Sequence, residues 1–125
     1  MRLMKLLVFL TLTAVLVACA ANGSGNDPAV AVETYLRAKV AGDGDTIQAL
    51  LCSEQEQNLA REKQTFASVA EAHLEDMACT DAGNGRVTCE GKIVALYGTE
   101  ETEFPLTNYR AVNEDGEWKW CGETE

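Results

Sequence analysis

The dipeptide Asn84-Gly85 constrains this chain more than any other part of it. Both residues tolerate positive φ, and flanked by extended segments they are the strongest short-range signal for a β-hairpin. Arg86 to Tyr97 follows as a long strand, with Val87, Cys89, Ile93 and Tyr97 on one face. Before the turn, Glu71 to Thr80 reads as extended only in its second half. If the turn is a three-residue loop, Ala82 faces Arg86 and Cys79 lies directly opposite Cys89. A fold for this chain must therefore contain an antiparallel pair at its middle.

The hairpin opens a meander. Gly98-Thr99-Glu100 is the next turn, and Glu101 to Asn113 reads as one strand with Phe104, Leu106 and Val112 sharing a face. Pro105 cannot donate to a ladder, which places it at an edge or a bulge. Asp115-Gly116 leads into a last strand, Glu117 to Cys121, with Trp118 and Trp120 on one side and Lys119 and Cys121 on the other. The pattern ahead of the hairpin is helical. Asp27-Pro28 is a cap and first-turn proline. Ala29, Val32, Leu36 and Val40 follow as one apolar stripe, with Tyr35 beside it and Gly42 as the stop. Asp45-Thr46-Ile47-Gln48 reads as a capping box for a second helix, with Ile47, Leu50 and Leu51 inward. Ser53-Glu54-Gln55-Glu56 repeats the box for a third, more polar helix to about Lys63. Helices first and four antiparallel strands after them predict an α+β domain.

The N-terminus has a different character. Arg2 and Lys5 precede an uncharged run, Leu6 to Val17, which is well short of the roughly 20 residues that span a bilayer. That is the build of a secretory signal peptide. Leu16-Val17-Ala18-Cys19 resembles the processing site of bacterial lipoproteins. The resemblance implies cleavage after Ala18, a diacylated sulfur on Cys19, and localisation on the extracytoplasmic face of a membrane. Ala20 in the next position implies the outer membrane in a Gram-negative host. The expected organisation is a lipoprotein signal peptide at 1–18, a lipidated tether at 19–27 and one domain at 28–125. Two or more acyl chains hold a protein firmly where one does not. From Ala20 to Asp27 the tether is a short coil with a span of about 16 Å.

Processing removes Arg2 and Lys5 and no acidic residue, so the net charge of −10 becomes −12. Such a surface is repelled by phosphates and anionic headgroups, which argues against nucleic acid as a partner and leaves the membrane contact to the lipid on Cys19. Setting Cys19 aside also leaves four cysteines, Cys52, Cys79, Cys89 and Cys121. An even count in a small exported domain predicts two disulfides, with three pairings open. The three-residue hairpin loop favours Cys79 with Cys89, which leaves Cys52 with Cys121. No Cys-x-x-Cys pair suits a metal.

Tyr35-Leu36, Gly42-Asp43, Leu50-Leu51-Cys52 and the closing Asp115-Gly116-Glu117-Trp118-Lys119-Trp120-Cys121 form a layout that resembles small bacterial lipoproteins with a nuclear-transport-factor-2-like, or cystatin-like, domain. It covers roughly residues 28–122. It implies a curved sheet wrapped around helices as a cone, often with a pocket between them. Such folds host isomerases, hydrolases, binding modules and inert scaffolds, so the layout itself assigns no activity.

No catalytic set stands out. His73 is the lone histidine, no nucleophile elbow is present, and the non-anchor cysteines are expected to be oxidised. Tyr35, Tyr97 and Tyr109 match no catalytic motif residue by residue. Asp43-Gly44-Asp45 is too short for a calcium loop and suits turn and capping chemistry. No cofactor is expected. The aromatic residues Tyr35, Phe66, Tyr97, Phe104, Trp118 and Trp120 are the candidate walls of a pocket between sheet and helices. The expected roles are a non-enzymatic accessory module of the cell envelope, with a protein partner, or a binder of a small apolar ligand. An isomerase- or hydrolase-like enzyme is the third.

Overall fold

A computed structural model describes residues 27–125. The signal segment, Cys19 and most of the tether lie outside these residues. The order of elements is helix α1 (Pro28–Ala41), helix α2 (Gly44–Leu50), a 3₁₀ segment (Ser53–Asn58), helix α3 (Leu59–Gln64) and five strands. The strands are β1 (Glu71–Gly83), β2 (Arg86–Tyr97), β3 (Glu100–Pro105), β4 (Asn108–Glu114) and β5 (Glu117–Thr124). All pair antiparallel in one sheet, in the order β1-β2-β4-β5, with β3 also on β2.

Local chemistry explains the helices. Asp27 accepts from the Ala29 N–H at 2.8 Å, and Pro28 occupies the first turn. The apolar stripe of α1 is widened by Ala31 and Ala38, both buried, which lets the backbone approach the sheet closely. Helix α2 is capped by Asp43 and not by Asp45: the Asp43 carboxylate accepts from the Thr46 N–H and Oγ1. The cap therefore falls two residues earlier than the capping-box pattern indicates. The third helical stretch begins as a 3₁₀ segment without a side-chain cap, and turns α-helical only at Leu59.

The hairpin closes on a tighter turn than a three-residue loop. Asn84 and Gly85 have φ of 56° and 76°, and Gly83 pairs with Arg86. The extra residue is absorbed by an irregularity between Asp81 and Gly83, after which Cys79 meets Cys89. A two-residue turn plus one bulged residue shifts the ladder by the same amount as a three-residue loop. The structure joins Cys79 to Cys89 and Cys52 to Cys121. Strand β1 is also longer than its sequence pattern indicates, because it starts at Glu71. A bulge at Asp76-Met77 interrupts it, with Asp76 at φ 53°. Opposite the bulge stands Gly91, where a Cβ would lie 2.5 Å from the carbonyl oxygens of Glu75 and Asp76. Only glycine fits that approach.

The strand expected over Glu101–Asn113 is two strands, so the sheet has five and not four. Pro105 ends β3, and Leu106-Thr107 steps across β2: the Leu106 N–H donates to the Gly91 carbonyl and the Cys89 N–H to Thr107. One half of β2 pairs with β4 (Arg86 to Thr88) and the other with β3 (Lys92 to Tyr97). The step changes the alternation. Tyr109 and Ala111 are buried, whereas Val112, on the opposite side of the strand, is only half-buried. Core residues Val32, Tyr35, Ile47 and Val87 lie between α1, α2 and the inner sheet face. The chain after α2 runs beside β5, with Leu51 bridging Trp120 in parallel and the Cys52 N–H donating to the Trp120 carbonyl at 2.9 Å.

Candidate functional site

Trp120 is the centre of the site. It alternates inward on β5 and is 5% exposed. The Tyr35 ring stacks on it at 4.2 Å between centroids and 7° between planes. Tyr109 of β4 tilts against it at 6.5 Å. One turn after Tyr35 on α1, the Lys39 ammonium lies 5.4 Å from the centroid of the same indole. Cation–π attraction of this kind is worth about 0.5–2 kcal/mol, rising with desolvation.

Helix α3 brings a carboxylate to this stack. Glu62 is 6% exposed, and its Oε2 accepts from the Tyr35 hydroxyl at 2.6 Å. The same oxygen pairs with Lys39 Nζ at 2.8 Å, and Arg61 lies 4.0 Å from Oε1. A buried carboxylate is costly unless paired and hydrogen-bonded. Here it has both kinds of partner. Burial, then the hydrogen bond to Glu62 and its charge, raise the Tyr35 pKa far above the ordinary phenol value. Tyr35 therefore stays protonated and remains a donor.

Beside the stack lies an apolar cavity of about 230 Å³. Leu36, Ile93, Phe66, Phe104, Tyr97 and Trp120 form its walls, with Tyr109 behind and Lys39, Thr65 and Glu123 at its polar side. Phe66 follows α3, and its ring meets Phe104 edge-on at 6.2 Å. Phe104 pairs across strands with Ile93, which directs both toward the cavity. Tyr97 and Phe104 are 42% and 40% exposed, so two aromatic rings stand at the mouth. A second, polar cavity of about 330 Å³ adjoins the first and shares Lys39, Trp120 and Glu123 with it. Trp120 Nε1 is buried and has no hydrogen-bond partner among the described residues.

Of the six aromatic residues singled out from sequence, the structure gathers Phe66, Tyr97, Phe104 and Trp120 around the cavity. Tyr35 is fully buried behind Trp120, and Trp118 packs on the core without lining the cavity. Lys39 and Glu62 were not legible as site residues. Each reads as an ordinary charge on a polar helix face, and only tertiary packing joins them. His73 is exposed on β1, with Nε2 2.9 Å from Glu75. Another depression of about 230 Å³, beside Leu51, Cys52 and Ser53, is bordered by Glu56 and Glu114, of which Glu114 is engaged: it accepts from the Ser53 N–H and Oγ. No group of metal-ligating side chains occurs among the described residues.

Helices held against one five-stranded antiparallel sheet make the domain α+β. The solved structures it is similar to specify that class. A designed nuclear-transport-factor-2-like protein, Rd1NTF2_05 with five substitutions, aligns with a TM-score of 0.53 and 13% identity, over 74% of this chain and 90% of the other. RPA3114, a SEC-C motif containing protein from Rhodopseudomonas palustris, aligns with a TM-score of 0.59 and 13% identity, over 82% of each chain. No protein family matches the chain, and no curated protein matches it in sequence. The fold is nuclear-transport-factor-2-like.

Proposed function

We propose that this chain is a non-enzymatic binding domain for a small apolar ligand, held at the extracytoplasmic face of a membrane by lipid on Cys19. The observation that carries the binding reading is the aromatic cavity with Tyr97 and Phe104 exposed at its mouth. Binding sites are concave, mainly apolar and furnished with a few polar groups. At about 230 Å³ this one is below the ~300–1,000 Å³ typical of pockets for drug-sized ligands, which points to a smaller occupant. An enzyme is the weaker reading, because the inward carboxylate, Glu62, is already bonded to Tyr35 and Lys39. The anchor reading rests on the Leu16-Val17-Ala18-Cys19 pattern.

The test is a titration of the full chain with 4-phenylbutanol, followed by tryptophan fluorescence and thermal melting. Saturable quenching and a raised Tm are expected, and Phe104→Ala weakens binding about tenfold through loss of an aromatic wall. An unchanged signal at millimolar alcohol refutes the binding reading. Mass spectrometry of the mature chain, with Cys19→Ser as control, reads the lipid separately.

A further inference from the structure

We infer that the free edge of β3 receives an extended peptide segment of a partner protein as an added antiparallel strand, one in which apolar side chains alternate with lysine or arginine. This goes beyond the small-ligand reading and does not depend on it.

Among the described residues β3 pairs with one strand, β2, and its other side is open. Strand β5 ends its pairing where Thr124 meets Asn108, so the antiparallel line it would continue along β3 is vacant. The ladder fixes which backbone groups are unused. The Leu106 N–H donates to Gly91 of β2, and groups bonded inward and outward alternate along such a strand. Phe104 and Thr102 therefore bond toward β2, while Glu101, Glu103 and Pro105 present their backbone to the open side. Pro105 fits this placement, because the donor it lacks would have pointed outward. The sheet's other edges are less open. Strand β1 is interrupted by the bulge at Asp76-Met77, and its Cys79 N–H already donates to Glu33 of α1 at 3.0 Å. Along β5, the Trp120 carbonyl is taken by the Cys52 N–H.

The side chains define the occupant. Glu101 and Glu103 share one face of β3, where Glu103 pairs with Lys92 and Glu101 is exposed. Thr102 and Phe104 share the other face, and the Phe104 ring is exposed. Opposite charges and aromatic–β-branched pairs stabilise facing strands, whereas like charges oppose them. A second copy of β3 would set carboxylates against carboxylates, so the edge disfavours self-pairing. A strand with basic residues opposite Glu101 and Glu103, and apolar residues beside Phe104, complements both faces. In strand addition of this kind the backbone bonds supply affinity and the alternate side chains supply selectivity.

The probe is the acetylated and amidated hexapeptide Lys-Val-Lys-Val-Lys-Val, titrated into the full chain by calorimetry. Backbone amide exchange at Glu101 and Glu103 is followed by ¹H–¹⁵N spectra. Two controls have the same side chains: Lys-Lys-Lys-Val-Val-Val, and the alternating peptide methylated on the backbone nitrogen of each lysine. The alternating peptide is expected to bind about tenfold or more tightly than either control, and to slow exchange at both amides. Glu101→Lys, a change at an exposed position, should weaken it about tenfold. Equal affinity for a control would reduce the effect to general attraction by an acidic surface and overturn the proposal. So would an absence of binding at millimolar peptide, or exchange that does not slow while the peptide binds. Slow exchange in the free chain would show that the edge is already covered, by a second copy or by the chain itself, and overturns it as well. None of these results touches the small-ligand reading, which the phenylbutanol titration decides separately.

Discussion

Truncating Glu62 tests the inner side of the site most directly. Glu62→Ala leaves the fully buried Tyr35 hydroxyl without its acceptor, which costs about 1–3 kcal/mol. Lys39 also loses its partner, but its side chain is 17% exposed and the ammonium can turn to water, so that loss adds about 1 kcal/mol or less. The expected total is about 3 kcal/mol. For a domain of about 100 residues that lowers Tm by about 12–24 °C. Glu62→Gln keeps an oxygen for Tyr35 and nearly the same volume, so it loses mainly the ion pair, about 1 kcal/mol. Equilibrium urea unfolding, followed by near-ultraviolet circular dichroism of the Tyr35–Trp120 stack, measures both. A Glu62→Ala variant within 1 kcal/mol of the wild type would show that the buried pair is not a structural support. Equal losses for both variants would place the effect in the charge and not in the hydroxyl's acceptor.

Two further outcomes follow from the same coordinates. The Tyr35 pKa is raised in the fold above its value of 10.0 in the open chain, so the unfolded state loses that proton first as pH climbs. Its contribution is intact below pH 10 and declines above it, by up to about 1.4 kcal/mol per pH unit. Burial raises Tyr109 as well and adds a slope of the same sign. Urea titrations between pH 9 and 11 should show the decline, and Tyr35→Phe should flatten it. Removing the Cys79–Cys89 bridge, ten residues apart, should cost about 2.8 kcal/mol, and removing Cys52–Cys121, 69 residues apart, about 4.4. Paired serine variants compared by unfolding midpoint should show the longer loop costing more; the reverse order would refute the loop-entropy account.

Features governed by near neighbours could be read before any coordinates. Asp27-Pro28 starts α1, and Asn84-Gly85 forms the hairpin whose register sets Cys79 opposite Cys89. What could not be read depends on distant partners. The first half of β1 is polar on one face (Glu71, His73, Glu75) and carries only Ala72 and Leu74 on the other, and it becomes a strand because β2 supplies the ladder. Leu106-Thr107 looks like ordinary strand sequence, yet two hydrogen bonds to the backbone around Gly91 turn it into a step. That step explains why Tyr109 and not Val112 reaches the core. The aromatic half of the site was legible because aromatic residues announce themselves by size and alternation. Glu62 was not, because its burial is created by Tyr35 and Lys39, more than 20 residues away.

The step at Leu106-Thr107 also bears on how such a domain can diversify. It allows one long strand, β2, to serve two shorter partners, one along each of its halves. The strand carrying Phe104 hangs on one side of the fork, and the strand carrying Tyr109 on the other. Residues added or lost in that link would swing β3 relative to β4 and widen or narrow the chamber. Neither the α1 packing nor the disulfide framework would have to be rebuilt. A lineage, or a designer, wishing to reshape the chamber has an adjustable joint there, with Thr107 as its freer half, since Leu106 is part of the core.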